Sequence, residues 1–501
     1  KHGEYDYDKK QINWSVGVNY NREKISKLIV EDSSPEGLKL IDGSIKVMKL
    51  ELNAGGKGKE VSEFKNFTVE KITVNGKPGM RIIFNEAISS AYKITYSTVD
   101  EDGLIAKEYT NKAVVSGTKK PSTLTAKVPV LHGDEYTEKR AVQEGDLINW
   151  TVNYNFAQSK LTDATLVDKP SANTLVLKDS FHVFKAVSNV NKPGEFIKGE
   201  GLSTSLYDVK LSDDGSFKLK FKKEINEAYM IQYQSYINDV DGSYIENTAY
   251  ATSKQISNEK NPSKESIQVV LSSASGSGSG ETGAVTLKKV DAFNPEQTLE
   301  GTEFTIWILD NEGNKRLPVK TIQTDANGEA TFENLLYKDY IIVEDQATEG
   351  YKVNVDNEIP VTVDSDSKEL VITNDPTNPT GQLIITKVSA KDDSVFLPGA
   401  VFKLVDQNGK TVLKDITTGD DGSIEVEVPL TLETDENHKP LSLSNDFVLI
   451  ETKAPKGYKL SKKEYAVTIK YTETTELTIA NKELPTITSP NTEENNNHNN
   501  N

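Results

Sequence analysis

Two sequence patterns each occur twice in this chain, and this repetition limits the possible fold more than any other feature. The segment INWSVGVN returns as INWTVNYN, with Trp14 aligned on Trp150. A closing stretch, YTNKA after the first copy and IENTA after the second, follows at the same distance in both. Equal spacing over such a length indicates two copies of one structural unit. We therefore predict two homologous domains, residues 1–117 and 118–271.

A second pair of repeats occupies the rest of the chain. GAVTLKKVD, from Gly283, resembles GQLIITKVS, from Gly381, and each copy ends in an apolar strand that closes on asparagine, LVITND or LTIANK. These repeats predict two more domains. The stretch before them is rich in glycine and serine, as in a flexible linker, and the chain closes on a polar, low-complexity tail that we expect to be disordered. The predicted bounds are 272–282 for the linker, 283–376 and 380–485 for the domains, and 486–501 for the tail.

The residue pattern within the repeats is that of short β-strands. Apolar and polar residues alternate, Asp-Gly and Asn-Gly turns are frequent, and few stretches have helical periodicity. Such a pattern predicts an all-β protein built from short alternating strands. The chain contains no cysteine, which excludes disulfides, thiolate nucleophiles and thioesters from it.

The charge and the motifs exclude several classes of function. The 58 basic and 76 acidic residues give a net charge of −18, which argues against nucleic acid as a partner. No run of 18 apolar residues suggests a membrane span. The five histidines lack metal-ligand spacing, and no nucleophile motif is present. We therefore expect no metal, no cofactor and no enzymatic turnover. Because Lys1 opens what reads as the middle of a strand, we interpret the sequence as a trimmed part of a longer chain.

A carboxylate directed into a core is the least expected feature of the last two domains. In FVLIETKAPKGY, the residues Phe447, Leu449 and Glu451 alternate along one strand and should share one face. A lone carboxylate there would cost several kcal/mol or stay protonated. The same pattern places Glu344 in a core, so the two occurrences need a common cause.

A lysine and an asparagine accompany each of these acids. Lys289 and Lys387 are in phase with apolar residues of the first strand of their domains, and Asn374 and Asn481 are in phase with those of the last strand. The spacing from the glutamate to the asparagine is the same in both domains. Residue types alone leave two explanations equally open: a buried ion pair beside a hydrogen-bonded asparagine, or a covalent Lys–Asn bond.

The motifs of these two domains resemble the B-type repeats of Gram-positive collagen adhesins and pilins. The shared features are an opening G-x-x-x-L/I-x-K, an L-x-G-x-x-F run, and the box Y-x-x-x-E-x-x-x-P-x-G-Y, in which the third domain has Thr348 where the fourth has Pro455. The resemblance implies a spontaneous Lys–Asn isopeptide bond, with a glutamate that handles the protons. The implied sets are Lys289–Asn374 with Glu344, and Lys387–Asn481 with Glu451.

The first two domains resemble the ligand-binding region of collagen adhesins, which has a variant immunoglobulin-like fold. The resemblance lies in the INW strands, the following strand that ends on aspartate, and the closing YTNKA or IENTA. It implies a lysine–aspartate–asparagine set, and the expected members are Lys1, Asp32 and Asn111.

The second domain is expected to carry an incomplete set. Asp168 and Asn247 remain, but aligning KHGEY on LHGDEY places Leu131 opposite Lys1. We therefore predict that this domain lacks the lysine, with Lys127 as a possible substitute.

The combined resemblance implies a surface adhesin of a Gram-positive bacterium. The first two domains would bind collagen or another extracellular-matrix protein by wrapping a rod-like ligand, with their linker near residues 116–127, and the last two would form the stalk. Attachment to cell-wall peptidoglycan would use a sorting signal outside this sequence, so we expect an extracellular location at the cell wall. The alternative is a structural pilin of a sortase-assembled fibre; the sequence contains no YPKN-like pilin motif.

Overall fold

A computed structural model describes residues 1–33, 37–271, 281–434 and 440–488 of the chain. Most of the predicted linker and tail, 272–280 and 489–501, lies outside these residues. The chain divides into two units, Lys1–Gly280 and Glu281–Asn501. The described residues form strands and one 3₁₀ turn, Thr204–Leu206, which confirms the predicted all-β class. None of them forms a helix that could span a bilayer.

The first domain is a sandwich of two antiparallel sheets. One sheet has the strand order β1-β2-β9-β5-β6, with β4 also paired to β9, and the other has the order β11-β10-β3-β8-β7. The strands are β1 (His2–Asp6), β2 (Gln11–Val18), β3 (Ile29–Ser33), β4 (Leu38–Leu40), β5 (Lys46–Leu52), β6 (Gly58–Glu63), β7 (Phe67–Val74), β8 (Lys77–Phe84), β9 (Ala91–Asp100), β10 (Glu108–Ser116) and β11 (Ser122–Pro129).

The second domain repeats this topology strand for strand. Its sheets have the orders β12-β13-β20-β16-β17, with β15 on β20, and β18-β19-β14-β21-β22. The strands are β12 (Thr137–Glu144), β13 (Leu147–Tyr154), β14 (Thr165–Pro170), β15 (Thr174–Val176), β16 (His182–Asn189), β17 (Lys192–Gly201), β18 (Tyr207–Leu211), β19 (Phe217–Phe221), β20 (Tyr229–Ile237), β21 (Tyr244–Thr252) and β22 (Ser263–Gln268).

The boundary between these domains differs from the prediction. The second half of the stretch 116–127, which was expected to be the linker, belongs to β11, and β11 pairs along β10 with Asn111 opposite Ala126. The connection to the second domain is therefore residues 130–136. The sequence did not reveal this, because alternation predicts a strand here but does not say with which strand it pairs.

The third domain has a different topology, in which the first strand runs parallel to the last. Its sheets are β26-β23-β30-β28 and β25-β24-β27-β29, and β23 pairs with β30 in parallel. The strands are β23 (Thr282–Asp291), β24 (Glu303–Leu309), β25 (Lys315–Gln323), β26 (Glu329–Leu336), β27 (Asp339–Gln346), β28 (Tyr351–Lys352), β29 (Glu358–Thr362) and β30 (Lys368–Pro376).

The fourth domain has the same plan with an added two-stranded ribbon. Its sheets are β34-β31-β39, β33-β32-β37-β38 and β35-β36, and β31 pairs with β39 in parallel. The strands are β31 (Thr380–Ser389), β32 (Val401–Asp406), β33 (Thr411–Thr417), β34 (Ser423–Pro429), β35 (Glu433–Thr434), β36 (Pro440–Ser442), β37 (Ser444–Lys453), β38 (Glu464–Lys470) and β39 (Thr474–Asn481).

Each sandwich is filled by the apolar residues that alternate along its strands. In the first two domains the largest members are Trp14 and Trp150, both buried, whose indole nitrogens donate to Thr98 and Ser235 at 2.9 and 2.8 Å. These bonds satisfy the one polar atom of each ring. The same cores also bury some polar side chains, and those of the candidate site lie together in each domain.

Candidate functional site

In the third domain a lysine, a glutamate and an asparagine meet between the two sheets. The parallel register of β23 and β30 places Lys289 beside Ile372, and Asn374 follows two residues later on β30. Glu344 comes from β27 of the facing sheet and contacts both Lys289 and Asn374. Lys289 and Asn374 are completely buried, and Glu344 is 1% exposed. All three lie where the strand alternation predicts.

One carboxylate oxygen contacts both of the other groups. Lys289 Nζ donates to Glu344 Oε2 at 3.2 Å, and Asn374 Nδ2 donates to the same oxygen at 3.2 Å. Glu344 Oε1 and Asn374 Oδ1 have no hydrogen-bond partner. Two buried oxygens without partners are costly, so this cluster is not optimised as a static ion pair.

Burial favours the neutral forms of the lysine and the acid. It lowers the pKa of Lys289 to about 8, against the opposing effect of the Glu344 charge, and it raises the pKa of Glu344. The shared cause is loss of solvation, which penalises each charged form. A neutral amine is a nucleophile and a protonated carboxyl is a proton donor, and both lie beside a carboxamide here.

The fourth domain repeats this arrangement. Lys387 Nζ donates to Asn481 Oδ1 and lies 3.5 Å from Glu451 Oε1. Asn481 Nδ2 donates to both oxygens of Glu451, at 2.9 and 3.0 Å. The backbone nitrogen of Ser461 donates to Glu451 Oε2 at 2.8 Å. Burial lowers the pKa of Lys387.

The first domain brings its predicted residues together by a different route. Lys1 Nζ donates to Asp32 Oδ2 at 2.5 Å, with both side chains almost completely buried. Asn111 Nδ2 donates to the hydroxyl of Tyr96 at 3.1 Å, and that hydroxyl donates to Asp32. Burial lowers the pKa of Lys1 and raises that of Asp32.

The second domain contains the lysine that the sequence alignment missed. Lys139, on β12, is 3% exposed and donates to Asp168 and, at 2.5 Å, to the hydroxyl of Tyr233. That hydroxyl donates to Asp168 at 2.8 Å and accepts from Asn247 Nδ2 at 2.8 Å. Burial lowers the pKa of Lys139. The set in this domain is therefore complete.

The two residues that the sequence analysis considered for the lysine position, Leu131 and Lys127, do not contact Asp168 or Asn247. Leu131 is 48% exposed, in the connection before β12, and Lys127 pairs with Glu108 on the surface. The alignment failed because it was anchored on the shared HG–EY letters rather than on strand pairing.

The strand register gives the correct equivalence. Lys139 faces Val152 across the β12–β13 ladder, and Lys1 precedes His2, which faces Ser15. The hairpin between the lysine and the tryptophan is two residues shorter in the second domain. A count back from Trp150 that allows for this difference reaches Lys139. The two tyrosines, Tyr96 and Tyr233, were missed because an aromatic residue in a strand reads as ordinary core.

The four clusters share the same three groups, an amine, an acid and a carboxamide, which are the groups that a condensation away from water would need. The described residues contain no group of three or more histidine and carboxylate side chains placed to hold a metal ion. The polar groups that meet in these clusters are the lysines, the acids, the asparagines and, in the first two domains, the tyrosine hydroxyls.

Comparison with known proteins matches all four domains to families. The family model described as collagen binding domain matches residues 1–123 and 138–262. The one described as prealbumin-like fold domain matches residues 283–376 and 381–483. A curated relative, Colossin-A of Dictyostelium discoideum, is 32% identical over 148 residues, which cover 26% of this chain and 1% of that protein.

The solved structures that resemble the chain are distant. The TIE protein of Bacillus anthracis is 18% identical, with a TM-score of 0.23, and the match covers 70% of this chain and 57% of that one. BcpA, the major pilin subunit of Bacillus cereus, is 14% identical, with a TM-score of 0.21, and the match covers 73% of this chain and 100% of that one.

The family matches confirm the resemblance found in the sequence motifs. Two collagen-binding domains are followed by two prealbumin-like domains, in the order that the repeats predicted. The chain therefore consists of two domains of the collagen binding family followed by two domains of the prealbumin-like family.

Proposed function

We propose that this chain is the ligand-binding region and stalk of a surface adhesin, and that a Lys–Asn isopeptide bond closes each of its four domains. One observation carries the proposal: every domain buries a lysine near its start, an asparagine near its end and an acid between them. The bonds are Lys1–Asn111, Lys139–Asn247, Lys289–Asn374 and Lys387–Asn481.

The condensation needs no cofactor. The neutral lysine amine attacks the asparagine Cγ, so that an Nζ–Cγ bond forms and the Cγ–Nδ2 bond breaks. The amine loses one proton, the leaving nitrogen gains one, and ammonia departs. The acid carries that proton and is unchanged at the end, since it takes one from the amine and returns one to the leaving group. Each bond forms once, so the chain does not act as an enzyme on other molecules.

The bonds would give mechanical strength. Each closes a loop of roughly 85–110 residues, which by the disulfide estimate removes about 4–5 kcal/mol of unfolded-state entropy. Force applied at the ends of a domain would also run through the crosslink rather than through the loop that it closes. A chain without cysteine would thus stay folded outside the cell.

A collagen-like ligand is the proposed partner of the first unit. The collagen-binding family match supports it, and so does a cleft of about 360 Å³ between the start of the first domain and the β16–β17 hairpin of the second. Glu4, Asp6 and Asp8 line this cleft, and their charges suit the basic side chains of an extended ligand.

The intact mass of the full chain tests the crosslinks. We expect it to fall short of the sequence mass by four molecules of ammonia. Glu344→Ala should restore one, whereas Glu349→Ala, which changes an exposed glutamate of the same domain, should restore none. A full-length chain at its unmodified mass would refute the crosslinks.

Binding of the full chain to immobilised triple-helical collagen tests the ligand. We expect binding to triple-helical but not to heat-denatured collagen, and weaker binding when Glu4 and Asp8 are changed to lysine. Glu51→Lys, on the exposed side of β5, is the matched control. Crosslinked protein that binds no matrix protein would instead favour the pilin alternative, which the prealbumin-like domains support.

A further inference from the structure

We propose that Tyr233 is a catalytic residue of crosslinking in the second domain, and that Tyr96 has the same role in the first. In this proposal the tyrosine hydroxyl delivers the proton to the departing ammonia, and the aspartate exchanges protons with the lysine and the tyrosine. The inference rests on the crosslinks proposed above and adds a fourth member to two of the four sites.

In the second domain the hydroxyl lies between all the reacting groups. Tyr233 Oη is 2.5 Å from Lys139 Nζ, 2.8 Å from Asp168 Oδ2 and 2.8 Å from Asn247 Nδ2. Asp168 uses only Oδ2 in these contacts, and its Oδ1 has no hydrogen-bond partner. The nitrogen that must leave as ammonia thus contacts the tyrosine hydroxyl.

The first domain repeats the contacts of the hydroxyl with the acid and with the asparagine. Tyr96 Oη accepts from Asn111 Nδ2 at 3.1 Å and donates to Asp32. Tyr96 and Tyr233 occupy equivalent positions, because each lies directly across the ladder from the tryptophan of the neighbouring strand, Trp14 or Trp150. The register that fixes the tryptophan in the core therefore also fixes the hydroxyl at the site.

The last two domains show why a hydroxyl is needed only in the first two. Asn374 and Asn481 donate directly to the glutamate carboxylates. An aspartate is one methylene shorter than a glutamate, and the tyrosine hydroxyl supplies the missing reach. The aspartate and the tyrosine together thus transfer the proton that the glutamate transfers alone in the last two domains.

The proton path balances through these groups. When Lys139 Nζ attacks Asn247 Cγ, Asp168 takes one proton from the amine. Tyr233 gives its proton to Nδ2 as the Cγ–Nδ2 bond breaks, and then takes the proton from Asp168. Lysine has lost one proton, ammonia has gained it, and Tyr233 and Asp168 end as they began.

The surroundings keep Tyr233 in the form that can donate. Burial raises its pKa well above the ordinary value, and the nearby Asp168 charge adds to this rise. The hydroxyl therefore stays protonated at neutral pH until the leaving group draws its proton.

Tyr233→Phe in the full chain tests the proposal, because it removes one oxygen and keeps the ring. We expect crosslinking of Lys139 to Asn247 to be on the order of 100-fold slower, the usual effect of losing a general acid. Intact mass after pulsed expression, followed by peptide mapping of the Lys139 and Asn247 peptides, measures this rate. The matched control is Tyr154→Phe, which removes a buried hydroxyl that has no hydrogen-bond partner in the same domain.

Three outcomes separate the proposals. If Tyr233→Phe crosslinks as fast as Tyr154→Phe, the tyrosine is not catalytic. If the unmodified chain never joins Lys139 to Asn247, the crosslink proposed for this domain is wrong instead. Asn247→Ala provides the circular dichroism and thermal unfolding of a folded, uncrosslinked second domain, and Tyr233→Phe should match it before its own crosslink has formed. If Tyr233→Phe fails to fold, Tyr96→Phe and the Lys1–Asn111 bond decide the question in the first domain.

Discussion

The two halves of this chain place the same three functional groups in different parts of the sandwich. In the first two domains, lysine and asparagine belong to opposite sheets, and the aspartate lies on the strand next to the asparagine. In the last two domains, lysine and asparagine lie on neighbouring parallel strands of one sheet, and the glutamate comes from the other. The chemistry therefore requires only that amine, acid and carboxamide converge in a dry core, and the topology can differ.

The topology does decide which strands a crosslink would leave unprotected. In the first two domains the asparagine is followed by a further strand, β11 or β22, and each lies at the edge of its sheet. In the last two domains the unprotected stretch is the part of β23 or β31 that precedes the lysine, and each of these strands lies between two others. Edge strands have half as many ladder partners as central strands.

The largest expected effect comes from removing a crosslink, and it should be similar in both halves. Asn247→Ala and Asn481→Ala keep the lysine–acid pair but remove the electrophile. Because the two closed loops have similar lengths, each change should cost about 4–5 kcal/mol and lower the melting temperature of its domain by about 20 °C. Differential scanning calorimetry measures this, with the exposed Asn191→Ala as control. A clearly unequal loss would show that topology, and not loop length, sets the benefit.

Mechanical stretching should separate the two halves. Pulling the full chain by its ends should detach β11 and β22 at lower force than the start of β23 or β31, since the edge strands lose one ladder and the central strands lose two. Release of residues 117–129 adds up to about 45 Å of length. Single-molecule force spectroscopy would record these steps, and first steps that arise from the last two domains would contradict the comparison.

A pH dependence should appear when the third domain cannot crosslink. In Asn374→Ala, Lys289 keeps its pKa of about 8, below the ordinary 10.5. The unfolded state then binds more protons between pH 8 and 10.5, so the stability of the domain should rise by about 2–3 kcal/mol over that range. Urea unfolding measures this rise. The double variant that also carries Lys289→Met should lack it, and an equal rise in both would exclude Lys289 as its source.

The smallest effect concerns the contact between the last two domains. The hydroxyl of Tyr471, in the fourth domain, donates at 2.6 Å to Asp291, a buried residue of the third, which also accepts from Tyr351 at 2.8 Å. Tyr471→Phe should cost about 1 kcal/mol, the usual net value of one intramolecular hydrogen bond. Thermal unfolding with Tyr465→Phe as control tests this, and equal melting temperatures would rule it out.

Strand alternation was enough to predict the clusters of the last two domains. Glu344 and Glu451 were found because a charge in phase with buried residues is unusual enough to need a reason. Lys139 could not be found by matching letters, because the hairpin between the lysine and the tryptophan has a different length in each domain. Tyr96 and Tyr233 could not be found at all, since nothing in a strand pattern distinguishes a core tyrosine whose hydroxyl contacts two or three reactive groups from one that only packs.

The sequence by itself determined the number of domains, the all-β class and the phase of each charged residue relative to the core, because these depend on repeats and on a period of two. Only the tertiary structure decided that β11 belongs to the first domain, that Lys139 completes the second site, and that a tyrosine hydroxyl joins aspartate to asparagine. These features depend on which strands pair and in what register, and pairing is a contact between segments far apart in the chain that local patterns do not encode.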